Sequence, residues 1–163
     1  MEYLHKNREE FKEAAARTAE DTGFVAEAVE KDYYVSMILR GISESLPFSV
    51  FKGGTSLSKC YGVIKRFSED IDLTTDIPLS QGQKKKMKYS LVDVVRKLEL
   101  NIINLEETRS RRDYNRYEIA YESVFSSDFS PVSSVIILET SFTACSFPTV
   151  IMPVDSMIGD MLK

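Results

Sequence analysis

The residues best equipped for chemistry lie between Phe51 and Thr74. A short apolar strand runs into Lys52-Gly53-Gly54-Thr55-Ser56-Leu57-Ser58-Lys59, and Arg66-Phe67-Ser68-Glu69-Asp70-Ile71-Asp72-Leu73-Thr74 follows closely. Two glycines between a strand and a helix let the backbone approach a ligand. The exposed N–H groups of the next turn, reinforced by the helix dipole, attract phosphate. Thr55, Ser56 and Ser58 add hydroxyl donors, and Lys59 is expected near the same anion as a mobile point charge. Alone, the glycine pair would equally serve a plain strand-to-helix turn.

Asp70 and Asp72 change that balance. On a strand, side chains at i and i+2 leave the same face, so the two carboxylates stand side by side. Like charges so close repel unless a cation lies between them, and Mg2+ accepts such oxygen ligands while taking others from substrate phosphate. The plainer alternative is an acidic strand edge that serves solubility. Two-metal phosphoryl chemistry usually needs a third carboxylate. Glu139 is the best candidate, because it interrupts the apolar run Val135-Ile136-Ile137-Leu138-Glu139-Thr140-Ser141-Phe142, where an unpaired charge is costly and calls for a metal or an arginine. A salt bridge at a strand end is the alternative there. Glu118 and Glu122 lie on the polar side of an alternating strand and are weaker substitutes. An anion hole followed by paired carboxylates is what holds a metal-bound nucleoside triphosphate, and the combination points to nucleotidyl transfer.

The elements that must position these groups follow from periodicity. Glu9 to Glu20 is alanine-rich and reads as a helix, broken by Gly23. A second helix is expected from about Phe24 to Ser45, with Val25, Ala28, Val29, Val35, Ile38, Leu39 and Ile42 as one buried stripe, and Pro47 stops it. Phe48 to Lys52 reads as a strand, Thr55 to Tyr61 as a short helix, and Ile71 to Thr74 as the next strand. Pro78 and Gly82 mark a loop before a long helix whose face carries Met87, Leu91, Val94, Val95 and Leu98. Tyr117, Ile119 and Tyr121 alternate with charge as a half-buried strand, Val135 to Phe142 is a further strand, and Val150 to Val154 another, leading to a helix with Asp155 as N-cap. The layout is α+β: N-terminal helices over 1–46 packed on a mixed sheet with helices over 47–163, in one domain. Because a helix has barely begun by Lys163, the natural protein is expected to continue beyond it.

Bulk properties narrow the function classes. The 163 residues are 43% hydrophobic and 28% charged, enough for one sizeable core. A formal charge of -4 rules out global electrostatic attraction to nucleic acid, so an RNA contact would need a local patch. Two exist: Lys84-Lys85-Lys86-Met87-Lys88, otherwise a solvated helix face, and Arg109-Ser110-Arg111-Arg112, otherwise exposed turn charge. Tyr114, Tyr117 and Tyr121 are assigned to sheet packing. Cys60 and Cys145 are far apart and read as small buried residues, and His5 is the sole histidine, which argues against zinc, disulfides and a histidine triad. No run approaches the ~20 apolar residues of a bilayer span and no signal peptide is recognisable, so no membrane and a cytoplasmic location are expected.

The glycine loop and the Asp-x-Asp, taken as a pair, resemble the signature of the AbiEii/AbiGii toxin family of nucleotidyltransferases, within the DNA polymerase β-like superfamily. Glu30-Lys31-Asp32-Tyr33-Tyr34-Val35 resembles the family's stretch on the helix before the first strand, and the match is close over about the first 75 residues. The resemblance implies a minimal nucleotidyltransferase fold, Mg2+, and transfer of a nucleotide from a nucleoside triphosphate to an RNA, tRNA or protein acceptor with release of pyrophosphate. Many members are toxins of abortive-infection or toxin–antitoxin operons, with a cognate antitoxin as partner. Carried over to this chain, Gly53, Gly54, Thr55 and Ser56 bind phosphate, Asp70 and Asp72 bind metal, and Glu139 fits the third-carboxylate strand. Family members usually carry further motifs in a helical C-terminal region, including a basic-acidic element that Lys31-Asp32 does not represent. A fragment without that region is expected to have weak activity or none. The competing expectations are a non-toxic RNA-modifying nucleotidyltransferase and a degenerate domain that binds nucleotide or a partner without catalysis.

Overall fold

A computed structural model describes residues 3–64, 66–125 and 130–161. Lys163, beyond which the protein is expected to continue, lies outside them. After a 3-10 turn at Leu4–Lys6, α1 (Arg8–Thr22) starts at Asn7, whose side chain accepts from the Glu10 N–H, and ends on Gly23 in a left-handed conformation. The second helix, α2 (Ala26–Ser45), is more central than a single apolar stripe implies. Every residue from Ala28 to Ser36 is buried, including the charged Glu30, Lys31 and Asp32, whereas Val25 is an exposed N-cap.

β1 (Ser49–Lys52) delivers the chain directly into α3 (Gly53–Lys59), and β2 (Ile71–Thr75) follows. α4 (Gln81–Lys97) begins at a reciprocal cap between Ser80 and Gln83, so Gly82 lies in its first turn rather than in a loop. β3 (Asn101–Ile102), β4 (Tyr114–Ala120), β5 (Val135–Ala144) and α5 (Met157–Met161) complete the order. The sheet runs β1-β2-β5-β4-β3. Among the described residues β2 and β5 pair in parallel, and the other neighbours are antiparallel.

Alternation divides the sheet into two faces. Ile71 and Leu73 of β2, Ile136 and Leu138 of β5, and Tyr117 and Ile119 of β4 point into one core with α1, α2 and α4, where Phe11, Val29, Ile38, Met87, Leu91 and Val95 meet them. The opposite face carries Asp72, Glu139, Tyr114 and Arg116. His5 belongs to the covered side. It bonds the Tyr33 hydroxyl and the Leu98 carbonyl, each at 3.1 Å, and burial lowers its pKa.

The expected strand over Val150 to Val154 does not form. Those residues are irregular, with Val150 and Ile151 exposed. β-Branched composition favours a strand only where a partner edge exists, and Pro148 and Pro153 remove donors at both ends of the run. The helix after it is capped by Ser156, whose Oγ accepts from the Gly159 N–H at 2.9 Å, one residue later than expected. Cys60 and Cys145 are half-buried rather than buried.

Candidate active site

Strand register assembles the site on the open face. Lys52 pairs with Asp72, Asp72 with Glu139, and Glu139 with Arg116. Four strands thus lay down a row in which two carboxylates are flanked by two cations. Asp70 emerges two residues before Asp72 on the same side. Partial burial pushes the Asp72 carboxyl above its usual range, Glu139 adds to the shift by repulsion, and Lys52 opposes it. Asp70 is raised by desolvation first and by Glu69 next, while Lys31 pulls it down and Glu139 pushes it up. Crowded carboxylates of this kind gain from a cation, and oxygen-only donors suit a hard divalent ion such as Mg2+. Among the described residues, however, no group of three or more His, Cys, Asp or Glu side chains is arranged as a ready-made metal site. The fit therefore lies in donor chemistry and charge.

The glycine turn is built against the same carboxylates. Gly53 has φ +77°, and a β-carbon there would collide with the Asp72 carboxylate; at Gly54 it would meet only Ser68 Oγ at 3.6 Å and the Arg66 guanidinium at 3.9 Å. Lys52, the N-cap of α3, supplies no side-chain cap, so no side chain of that residue blocks the first-turn N–H groups. Gly53→Ala is therefore expected to destabilise the fold by about 1–3 kcal/mol and to displace Asp72, with Gly54→Ala clearly milder. Chemical denaturation of the two variants side by side checks this, and equal losses would contradict it.

The hydroxyls have defined partners. Thr55 and Ser68 share a 2.7 Å hydrogen bond, and Ser56 Oγ donates back to the Gly53 carbonyl at 2.8 Å, which fixes the turn. Ser58 lines a cleft of about 310 Å³ together with Phe24, Arg66, Phe67, Ser68 and Met157. Lys59 is not a mobile charge. Its ammonium is buried 2.5 Å from Asp32 Oδ1 and donates to Ser36 Oγ at 2.9 Å and to the Asp155 carbonyl at 3.1 Å.

That arrangement gives α2 its role. Glu30, Lys31 and Asp32 project in different directions and each holds a different segment. Glu30 accepts from Ser123 Oγ at 2.6 Å and from the Val124 N–H at 2.8 Å. Lys31, with a side chain 2% exposed, bonds Glu69 at 2.7 Å, next to Asp70. Asp32 binds Lys59 through one oxygen and accepts from the Met157 N–H through the other at 2.8 Å. Burial raises the Glu30 pKa, with the Ser123 and Val124 hydrogen bonds pulling against it. The sign follows from linkage: a carboxyl raised in the folded state contributes stability below its unfolded pKa of about 4.3 and loses it as pH rises through the folded value. Glu30→Gln should therefore flatten the fall in Tm from pH ~4 towards neutrality, and thermal melts across that range would show an unchanged slope if Glu30 is not responsible.

Several site groups carried no usable sequence signal. Tyr114, assigned to packing, is half-exposed, and its hydroxyl donates to Glu139 Oε1 at 2.7 Å; that bond raises its own pKa. Tyr117 and Tyr121 are buried as expected. Lys52 and Arg116 acquire meaning only through register. The lysine run divides: Lys84 turns inward to Asp113 at 2.6 Å and Lys88 donates to the Thr108 carbonyl at 2.9 Å. Burial lowers the Lys88 pKa, and the charge of Arg109 adds to the shift.

A mixed sheet covered by helices on one side, with a glycine turn set against paired carboxylates on the other, is a nucleotidyltransferase-type fold. The profile of the nucleotidyl transferase AbiEii toxin family, Type IV toxin–antitoxin system, matches residues 38–162, and the chain belongs to that family. It is accordingly a nucleotidyltransferase of a toxin–antitoxin family. The match starts after the Glu30–Val35 stretch and continues through β5 to α5, well past the 75 residues over which the resemblance was close. No curated protein and no solved structure matches the chain. Among the described residues, no helix is long and apolar enough to cross a membrane.

Proposed function

We propose that the row Lys52, Asp72, Glu139 and Arg116, with Asp70 beside it, is the catalytic centre of a Mg2+-dependent transfer of a nucleoside monophosphate to an RNA hydroxyl, tRNA included. The observation that carries this reading is the register of Asp72 against Glu139, with Gly53 packed on Asp72. The triphosphate lies along the Gly53–Ser56 turn, where first-turn N–H groups and the Arg66 guanidinium meet its charge. Lys52 faces the same anion from the end of β1. Glu139 Oε1 accepts the proton of the attacking hydroxyl, and Arg116, whose guanidinium lies 3.6 Å from Glu118, adds positive charge at that end of the row. Mg2+ would be held by Asp70, Asp72 and Glu139, and would neutralise the triphosphate and the departing pyrophosphate. Lys85, Lys86, Lys88 and Arg109 supply a basic surface for the acceptor backbone. In the cell, the reading is a toxin restrained by a cognate antitoxin and released during phage infection.

The test is incubation with Mg2+, total cellular RNA and each of the four nucleoside triphosphates labelled at the α-phosphorus, beside an Asp70→Ala/Asp72→Ala control. Label in one RNA species, dependent on the aspartates, supports the reading. Label that persists in the double variant would remove these residues from the mechanism.

A further inference from the structure

The Tyr114 hydroxyl is bonded to the carboxylate that the proposed reaction uses as its base. It is the group that donates to Glu139 Oε1, at 2.7 Å, on the carboxylate paired in register with Asp72. It also belongs to a half-exposed side chain at the mouth of β4, so water and a nucleotide can reach it. A phenol hydrogen-bonded to a carboxylate beside a triphosphate site has the arrangement of an activated nucleophile: hydroxyl, base and electrophile within one cluster. Asp72 and Glu139 on this face are only partly buried, and the Tyr114 ring beside them is half-exposed.

We propose that Tyr114 is an internal acceptor, and that the protein nucleotidylates itself there when no RNA occupies the site. This rests on the catalytic reading of Asp70, Asp72 and Glu139. Tyr114 Oη forms a bond to the α-phosphorus of a nucleoside triphosphate, the bond from that phosphorus to the bridging oxygen of the β-phosphate breaks, and pyrophosphate leaves. The phenolic proton passes to Glu139 and then to solvent. The product is a phosphodiester-linked tyrosine with no change of oxidation state. Because its bulk stays beside Glu139, a modified chain cannot admit a second acceptor, and self-modification silences transfer to RNA.

The experiment is incubation of the purified chain with Mg2+ and each labelled triphosphate without RNA, followed by peptide mass spectrometry and pyrophosphate measurement. Expected are a nucleoside monophosphate on the peptide containing Tyr114, a labelling rate per chain independent of protein concentration, loss of that label in Tyr114→Phe, and suppression by excess acceptor RNA. RNA labelling with an unmodified Tyr114, or undiminished protein label in Tyr114→Phe, overturns the inference and leaves the catalytic reading standing. Absence of pyrophosphate release with every triphosphate, with and without RNA, overturns both.

Discussion

Replacing Asp72 by Asn is expected to lower nucleotidyl transfer by at least about a hundredfold, or ~2.7 kcal/mol in the barrier, while the metal-free fold is no less stable. Asp72 lies at the centre of the four-residue row, faces Glu139 directly and walls the Gly53 turn. A neutral amide of the same shape keeps the packing against Gly53 and takes one charge out of a crowded acidic cluster. Activity and stability should therefore move independently. Mg2+ should raise the Tm of the wild type and barely move that of the variant, because a ligand stabilises only the state that binds it. Single-turnover assays and melts with and without Mg2+ provide both readouts, and a variant that loses stability together with activity would make Asp72 a structural residue.

The largest effect on the fold is expected at Asp32. Asp32→Ala leaves the Lys59 ammonium buried without its carboxylate and frees the Met157 N–H, at an expected cost of about 3–5 kcal/mol. The Asp32→Ala/Lys59→Met double variant should recover much of that loss, since the penalty belongs to the orphaned charge rather than to the missing pair. Urea titration gives the comparison directly, as a shift of midpoint at constant slope. A loss below about 1 kcal/mol for Asp32→Ala would mean that water reaches Lys59.

These two residues mark what was legible in the sequence and what was not. The glycine turn and the Asp-x-Asp could be read because their chemistry is local: spacing on a strand places Asp70 and Asp72 on one face before any partner is known. Glu139 stood out because a charge inside an apolar strand needs an explanation. Lys52, Arg116 and Tyr114 gave no such signal, since their proximity to the carboxylates comes from pairing between strands far apart in the chain. Lys59 looked like a substrate contact because its position near the glycines was visible, whereas its true neighbour, Asp32, sits 27 residues upstream. The alternation around Tyr117 fitted a strand and led Tyr114 to be grouped with its buried neighbours. Its ring lies on the other face. The Val150 to Val154 run shows the converse error, a segment with strand composition but no edge to join.

The clasp between Asp32 and Met157 joins positions 125 residues apart. Proteins leave the ribosome from the N-terminus, and α1 and α2 emerge long before the segment that supplies this backbone hydrogen bond to Asp32. Until Asp155 and Met157 are made, therefore, α3 is held to α2 through Lys59 on Asp32 and Ser36, and the later segment then joins both helices by accepting from Lys59 and donating to Asp32.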